Sequence, residues 1–351
     1  MVVVWFDALT PKQAKIGAYL YWELAGRGIG LLLTTRKYRY VEETLRAYSV
    51  PYVVVGKYGE SLRDKLKSYA SRTLRLLEIL PDFDLALGFP SPEMHRIAFG
   101  LGKPIITLSD TAHAYHVNKL CLPLSSRVIV PEAIPESELL KFIPSSELSK
   151  VRKFSGVFEL MWVKRVRVDA SIPRRLGLRI GDYVLFRPEE EKASYYKYGT
   201  SPELHRRLIR IVLEHGLQLV YVPRYKHQEK LVTEHFSREI ELGLVVIPRG
   251  MPIDLVHLEA FSRLVVTGGS TMAIESSLLG VPSLCYFPES FYIDDYLMRL
   301  GFPLIRAGSL EEAVNMLPSL LSSAEHVNVQ DLVQSLEDPV KVILEDVLRI
   351  A

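Results

Sequence analysis

Short β-rich runs alternate with helix-length amphipathic segments along nearly the whole chain, and this alternation restricts the fold more than any other feature. Strand, helix and strand in succession build a parallel sheet, so the pattern excludes all-helical and all-β folds. The first repeat shows the rule. Residues 2–6 are a continuous apolar run, as a strand buried on both faces requires. Thr10-Pro11-Lys12-Gln13 then supplies an N-cap, a proline at the first helical position and a capping-box glutamine, which predicts a helix over about residues 11–24, stopped by Gly26 and Gly28. Further strands are expected at residues 29–34, 52–55, 85–87, 105–108 and 128–130, with a helix near 41–48.

The chain has 351 residues, 48% of them apolar and 24% charged, so it can bury a sizeable core. Single cores stop growing near ~250–300 residues, which favours two domains over one domain with long insertions. Past Pro131 the periodicity weakens, and Phe154-Ser155-Gly156 followed by Arg-rich residues up to Pro173 reads as the inter-domain crossing. A second α/β series follows, with strands near 183–186, 218–222, 244–247, 264–266 and 284–287 and helices near 202–215, 226–239, 253–261 and 271–279. Residues 310–350 read as two helical segments. The expected division is a first Rossmann-like domain over 1–158, a second over 159–325, and a C-terminal helix within 326–351 packing back on the first. Leu101-Gly102-Lys103-Pro104 and Leu279-Gly280-Val281-Pro282 end a helix and start a strand in the same way in each half. The fold class is therefore α/β, with two Rossmann-like domains whose parallel sheets face a cleft.

Forty-three Lys and Arg against 41 Asp and Glu leave a formal charge of +2, which gives no sign of a nucleic-acid partner. Cys121 and Cys285 sit far apart in apolar stretches, so neither a disulfide framework nor a Cys-based zinc site is expected and the compartment reads as reducing. The chain starts without a basic leader and has no apolar run near the ~20 residues that span a bilayer, so a soluble cytoplasmic protein is expected. Five Gln and three Asn fit a thermophilic source. Residues 61–80 carry Leu62, Leu66, Tyr69, Leu76 and Leu80 near helical spacing, and Lys57, Arg63, Lys65, Lys67, Arg72 and Arg75 make this the densest basic stretch. It reads as a solvated face, or as a weak peripheral contact with an anionic membrane surface or a lipid-phosphate acceptor.

The most informative segment is Val265-Val266-Thr267-Gly268-Gly269-Ser270-Thr271-Met272-Ala273-Ile274-Glu275. A buried strand runs into two glycines that admit a ligand to the backbone. Ser270 and Thr271 then open a helix whose free N–H groups and positive dipole end favour phosphate. Glu275, one turn on, reaches toward a ribose diol. The alternative is a tight turn with an ordinary cap and a surface glutamate.

The run from Thr267 to Pro282 resembles the nucleotide-diphosphate-binding motif of GT-B glycosyltransferases and of non-hydrolysing UDP-N-acetylglucosamine 2-epimerases, which end in Leu-Gly-x-Pro. The stretch from Gly88 to Pro104, with Ser109-Asp110 and Val117-Asn118-Lys119 after it, resembles the matching epimerase segment. Over the whole chain the sequence resembles an uncharacterised, largely archaeal family of GT-B-like proteins. The resemblance implies a nucleotide-sugar diphosphate in the second domain, with Gly268, Gly269, Ser270 and Thr271 at phosphate and Glu275 at ribose. It also implies Pro248-Arg249-Gly250-Met251 at the base. Arg187 either neutralises the diphosphate or pairs with Glu189, Glu190 or Glu191.

Two departures favour sugar transfer over epimerisation. The carboxylate-rich segment that precedes the epimerase Asn-Arg pair reads His113-Ala-Tyr-His116-Val-Asn118-Lys119 here, and the epimerase His-x-Arg-Glu element becomes Phe186-Arg187-Pro188-Glu189. Proton abstraction and return across a sugar ring needs acids and bases on both faces, and only Asp110 holds a comparable position. Asp110 and His113, at the end of a first-domain strand, are the candidate catalytic pair, with His95 a weaker one in a neighbouring loop. The alternative has Asp110 capping a helix that starts at Thr111. The Asp110, His113, His116 spacing drifts around a helix and predicts no metal site. Arg36-Lys37-Tyr38-Arg39-Tyr40 is either an anionic-acceptor loop or a solvated one. The expected protein is a metal-independent GT-B-type glycosyltransferase. It takes a nucleotide-diphosphate sugar as donor substrate, needs no cofactor, and acts on a glycan, lipid-phosphate or small-molecule acceptor. The alternatives are a 2-epimerase-like isomerase and a non-catalytic nucleotide-sugar-binding protein.

Overall fold

The computed structural model describes residues 2–191, 199, 201–249, 254–289 and 291–350. The chain divides into two compact units, one formed by residues up to Trp162 together with those from Leu336 onward, the other by Val163–Ser335. Among the described residues, each unit is built on one all-parallel sheet.

In the first unit the strands are β1 (Val3–Ala8), β2 (Gly30–Lys37), β3 (Val53–Lys57), β4 (Leu85–Gly88), β5 (Ile105–Leu108), β6 (Arg127–Pro131) and β7 (Val151–Phe154), in the order β3-β2-β1-β4-β5-β6-β7. Chain order reverses direction between β1 and β4. β1 lies inside the sheet between β2 and β4, and its Val4, Trp5 and Phe6 are fully buried, with Trp5 meeting Phe83 edge-on at 5.1 Å. Each large apolar side chain buried in this way contributes ~1.5–3 kcal/mol. Thr10 and Gln13 form the reciprocal cap of the helix Pro11–Ala25: the Gln13 N–H donates to Thr10 Oγ1 at 3.3 Å and the Leu9 N–H to Gln13 Oε1 at 2.7 Å.

The second unit holds β8 (Tyr183–Arg187), β9 (Gln218–Tyr221), β10 (Val245–Val246), β11 (Leu264–Thr267), β12 (Ser283–Cys285) and β13 (Leu304–Arg306), in the order β10-β9-β8-β11-β12-β13. Here the reversal falls between β8 and β11. Gly102 and Gly280, in the paired Leu-Gly-x-Pro signatures, take the left-handed conformation at φ 67° and 80°. A side chain at Gly280 would strike the Val327 carbonyl.

Several local expectations change. β7 and β13 were not predicted, because both are short, partly exposed edge strands without a continuous apolar run. The helix expected near 253–261 is reduced to Val256–Glu259. The tail holds three helices, Leu310–Ser323, Gln330–Ser335 and Pro339–Ile350, rather than two. The last of these belongs to the first unit, where Arg152 bonds Glu345 at 2.6 Å and Arg127 lies 3.3 Å from Asp346. The basic helix Leu62–Ile79 is turned differently from the expectation. Arg72 and Leu76 are buried while Leu62 and Leu66 face outward. No helix among the described residues is long and apolar enough to cross a membrane.

Candidate functional site

In open α/β sheets ligands bind beyond the carboxyl ends of the strands, where the strand order reverses. In the second unit this point lies between β8 and β11, whose last residues, Arg187 and Thr267, are paired in register. The Gly268 N–H donates to the Arg187 carbonyl at 3.1 Å. A Cβ on Gly268 would come within 2.7 Å of Glu189 Cα, so the chain passes here only as glycine. Thr267 Oγ1 accepts the Gly269 N–H at 3.1 Å and tightens the turn. Gly269 is the N-cap of the helix Ser270–Leu278 and supplies no side chain to its first N–H groups, which leaves the positive end of the dipole for an anion. A Cβ on Gly269 would lie 3.2 Å from Nη2 of Arg224, so a guanidinium stands beside this turn. Arg224 donates from Nε to the Pro188 carbonyl at 2.8 Å and sits 3.7 Å from Glu190.

The hydroxyl of Ser270 donates to Asp294 Oδ1 at 2.5 Å, and Asp294 in turn pairs with Arg306 at 3.0 Å. Burial raises the Asp294 carboxyl above its usual range despite these partners. Ser270 can therefore offer a ligand its backbone N–H and a hydroxyl lone pair, its own proton being committed. Glu275 is buried, which removes the surface-glutamate alternative. Of the three acids set against Arg187, Glu189 takes Tyr286 at 2.6 Å and His205 at 3.1 Å, Glu190 faces Arg224, and Glu191 takes His227 and Gln228. Burial alone would raise Glu189, but His205 and Tyr286 outweigh it and hold this carboxylate low.

The first unit has its own reversal between β1 and β4, and an ionic group stands close by. Lys12, in the first turn after β1, places Nζ 2.5 Å from Asp110 Oδ2 and 2.5 Å from Glu159 Oε1. Burial, with Asp110 adding to it, pushes the Glu159 carboxyl up to about 7 in spite of Lys12. The two acids outweigh burial at Lys12 and hold its ammonium more firmly protonated than usual. Asp110 does not cap a helix at Thr111. It accepts the Thr111 hydroxyl at 2.9 Å, and the next helix, Tyr115–Cys121, starts later with Ala114 as its N-cap. His113 is exposed in the intervening turn, so Asp110, His113 and His116 do not share a helix. Buried Asn118 holds that turn by donating to the Thr111 carbonyl at 2.9 Å.

His95 lies inside the helix Pro92–Gly100 rather than in a loop, fully buried with Nε2 2.7 Å from Thr107 Oγ1. Burial lowers it to about 4, so it is neutral and serves packing. Arg72, expected on a solvated face, forms a two-pronged pair with buried Asp7 at 2.5 and 2.9 Å. Ser91 and Thr34 also bond Asp7, each at 2.7 Å. Burial would raise Asp7, but Arg72 and these hydroxyls overcome it and lower the carboxyl. The expected basic loop is not a loop: Arg36 and Lys37 end β2 and Arg39 and Tyr40 open the helix Arg39–Ala47, and Arg36 stacks its guanidinium on the Tyr58 ring at 4.1 Å.

A family profile described as a protein of unknown function (DUF354) matches residues 2–351. The chain belongs to the DUF354 family. An uncharacterized protein of Methanocaldococcus jannaschii is 29% identical over 353 residues, covering 98% of this chain and 97% of its relative. Among solved structures, the UDP-GlcNAc 2-epimerase of Neisseria meningitidis bound to UDP-GlcNAc superposes with a TM-score of 0.70 at 16% identity, covering 99% of this chain and all of the other. The Methanocaldococcus jannaschii UDP-GlcNAc 2-epimerase in complex with UDP-GlcNAc and UDP gives 0.68 at 14% identity, covering 93% and 95%. Anabaena HepE in complex with UDP and glucose gives 0.59 at 15% identity, with full coverage of both chains. The fold of this DUF354 chain is thus α/β and GT-B-like, with two Rossmann-like parallel sheets.

Within that fold, Arg187, Gly268, Gly269, Ser270 and Thr271 meet at the carboxyl end of the second sheet, and Glu275 lies one turn further along the same helix. Arg249 is exposed past β10 and bonds Glu229 at 2.6 Å. Met251 lies outside the described residues. Sequence reasoning missed Lys12, Glu159 and Arg224 as site residues. Glu159 had a signal, being a lone acid inside the apolar run Val157-Phe158-Glu159-Leu160-Met161. Lys12 carries only the signal of a helix start, between Pro11 and Gln13.

Proposed function

We propose that the second unit binds a nucleotide-diphosphate sugar and that the protein transfers the sugar to an acceptor, with the Lys12, Asp110 and Glu159 group supplying acid-base chemistry. The observation that carries the reading is the open helix start at Gly269, which stands at the β8–β11 reversal with Arg224 against it. Backbone N–H groups, a helix dipole and a forked cation together suit a diphosphate leaving group. In this reading Gly268, Gly269, Ser270 and Thr271 face phosphate, Arg187 and Arg224 neutralise it, Glu275 binds ribose, and Arg249 and Met251 flank the base. Asp110 accepts the acceptor hydroxyl proton, His113 being the other candidate base. Cys121 and Cys285, both buried free thiols, are consistent with a reducing cytoplasm. The test is a calorimetric screen of UDP, GDP, CDP and dTDP and their sugars against the wild type and Ser270→Ala/Glu275→Ala. Micromolar binding lost in the variant supports the reading, whereas no binding by any nucleotide overturns it.

A specific observation also favours the 2-epimerase-like reading. Glu159 supplies, with Asp110, the second carboxylate whose lack in the sequence argued against proton transfer at both faces of a sugar ring. Incubating the identified nucleotide sugar in deuterium oxide separates the two. Deuterium at C2 without an acceptor identifies epimerisation, while acceptor-dependent release of the nucleoside diphosphate identifies transfer.

A further inference from the structure

The helix Leu62–Ile79 carries an apolar stripe on its outward face. Leu62 is 85% exposed, Leu66 67%, Leu74 64% and Leu77 49%. At ~100° per residue, Leu62, Leu66 and Leu77 fall within about 60° of one another, with Leu74 about 60° further round. At the carboxyl end of the helix the stripe runs into a groove of about 150 Å³ lined by Leu77, Leu80, Pro81, Phe83, Ile97 and Leu101, with Asp82 at its side. Four leucines exposed on one helix make a face that a partner would cover. The same face thus presents projecting leucines at one end and a hollow at the other. A cavity near this size takes a benzene-sized group, comparable to the end of a leucine.

Charge is divided along the same axis. Lys57, Arg63, Lys65 and Lys67 outnumber Glu60 and Asp64 at the amino end, and Asp64 is tied to Ser61 at 2.6 Å. Glu78, Asp82 and Asp84 outnumber Arg75 and Lys103 at the carboxyl end by one, Asp82 being 87% exposed and paired with Lys103 at 3.0 Å. An anionic bilayer would be repelled by the acidic end. A second copy laid antiparallel would bring basic end to acidic end twice and would set Leu62 and Leu66 over the partner groove. Such a self-complementary patch is what a two-fold interface requires.

We infer that this face of the first unit is a homodimer interface, in which the helix Leu62–Ile79 packs antiparallel on its copy. Sedimentation equilibrium of the full chain at micromolar concentration should give a dimer. Leu62→Asp/Leu66→Asp should give a monomer with unchanged circular dichroism, since both leucines already face water. Arg63→Glu/Lys67→Glu should weaken association about tenfold or more. Adding Glu78→Lys/Asp82→Lys to the same chain should restore it, because each end then meets its reversed complement. The charge series decides the matter even if the leucine variant fails to fold. A monomeric wild type, or a dimer indifferent to both the leucine and the charge changes, overturns the proposal. So does leucine-dependent sedimentation of a monomer with phosphatidylcholine/phosphatidylglycerol vesicles, which would make the face a bilayer contact.

Discussion

Lys12 and Glu159, 147 positions apart in the chain, meet at 2.5 Å in the first unit, and Asp110 shares the same ammonium. One cation thus holds two carboxylates together. Replacing it uncovers both at once. Lys12→Met should cost ~3–5 kcal/mol of unfolding free energy in denaturant titration near neutral pH, the penalty for removing one member of a buried ionic group. Glu159→Gln in that background should recover part of the loss.

The pH response of Glu159 has a definite sign. Its folded value of about 7 lies above the ordinary 4.5, so folding favours the protonated form. The stability this gives is complete below about 4.5 and disappears as pH rises through about 7. Between about pH 5 and about pH 8, Glu159→Gln should therefore gain in melting temperature relative to the wild type. Parallel melting curves would refute this.

Gly268→Ala places a Cβ against the Glu189 backbone, where nothing can yield without moving β8. A loss of ~1–3 kcal/mol in chemical denaturation is expected, together with the loss of any nucleotide binding measured by calorimetry. Gly269→Ala meets only the tip of Arg224 and should fold normally.

Arg224→Ala should lower the affinity for the nucleoside diphosphate found in the calorimetric screen by ~10–100-fold, the range of one charge-assisted bond, while leaving the melting temperature nearly unchanged. Equal affinities in variant and wild type would remove Arg224 from the proposed phosphate site.

Arg72→Met leaves Asp7 buried without its guanidinium. A loss of ~3–5 kcal/mol is expected. Adding Asp7→Asn should return much of it, because the amide needs no counter-charge.

The fold was legible because central parallel strands are buried on both faces and read as unbroken apolar runs, as β1 and β11 do. β7 and β13 escaped because edge strands need no such run. The Gly268–Thr271 turn was legible because its glycines, hydroxyls and helix start are consecutive. Lys12, Asp110 and Glu159 converge from three separate segments, and no local pattern reports that distance. The helix Leu62–Ile79 misled for a different reason. Its leucines and its arginines both recur at helical spacing, and periodicity alone does not reveal that Arg72 turns inward toward Asp7 while Leu62 and Leu66 turn out.

The closing helix Pro339–Ile350 has a consequence for how the protein is made. It packs on residues emitted from the ribosome roughly two hundred positions earlier, as the pair Arg152 and Glu345, 193 positions apart, shows. The Ser155 N–H donates to Glu337 Oε2 at 2.5 Å and the Glu337 N–H to the Ser155 carbonyl at 2.7 Å, which clasps the join. Domains generally fold in order of synthesis. Here the first unit is complete only once the residues from Leu336 onward have been made, whereas the second already has all its parts before them.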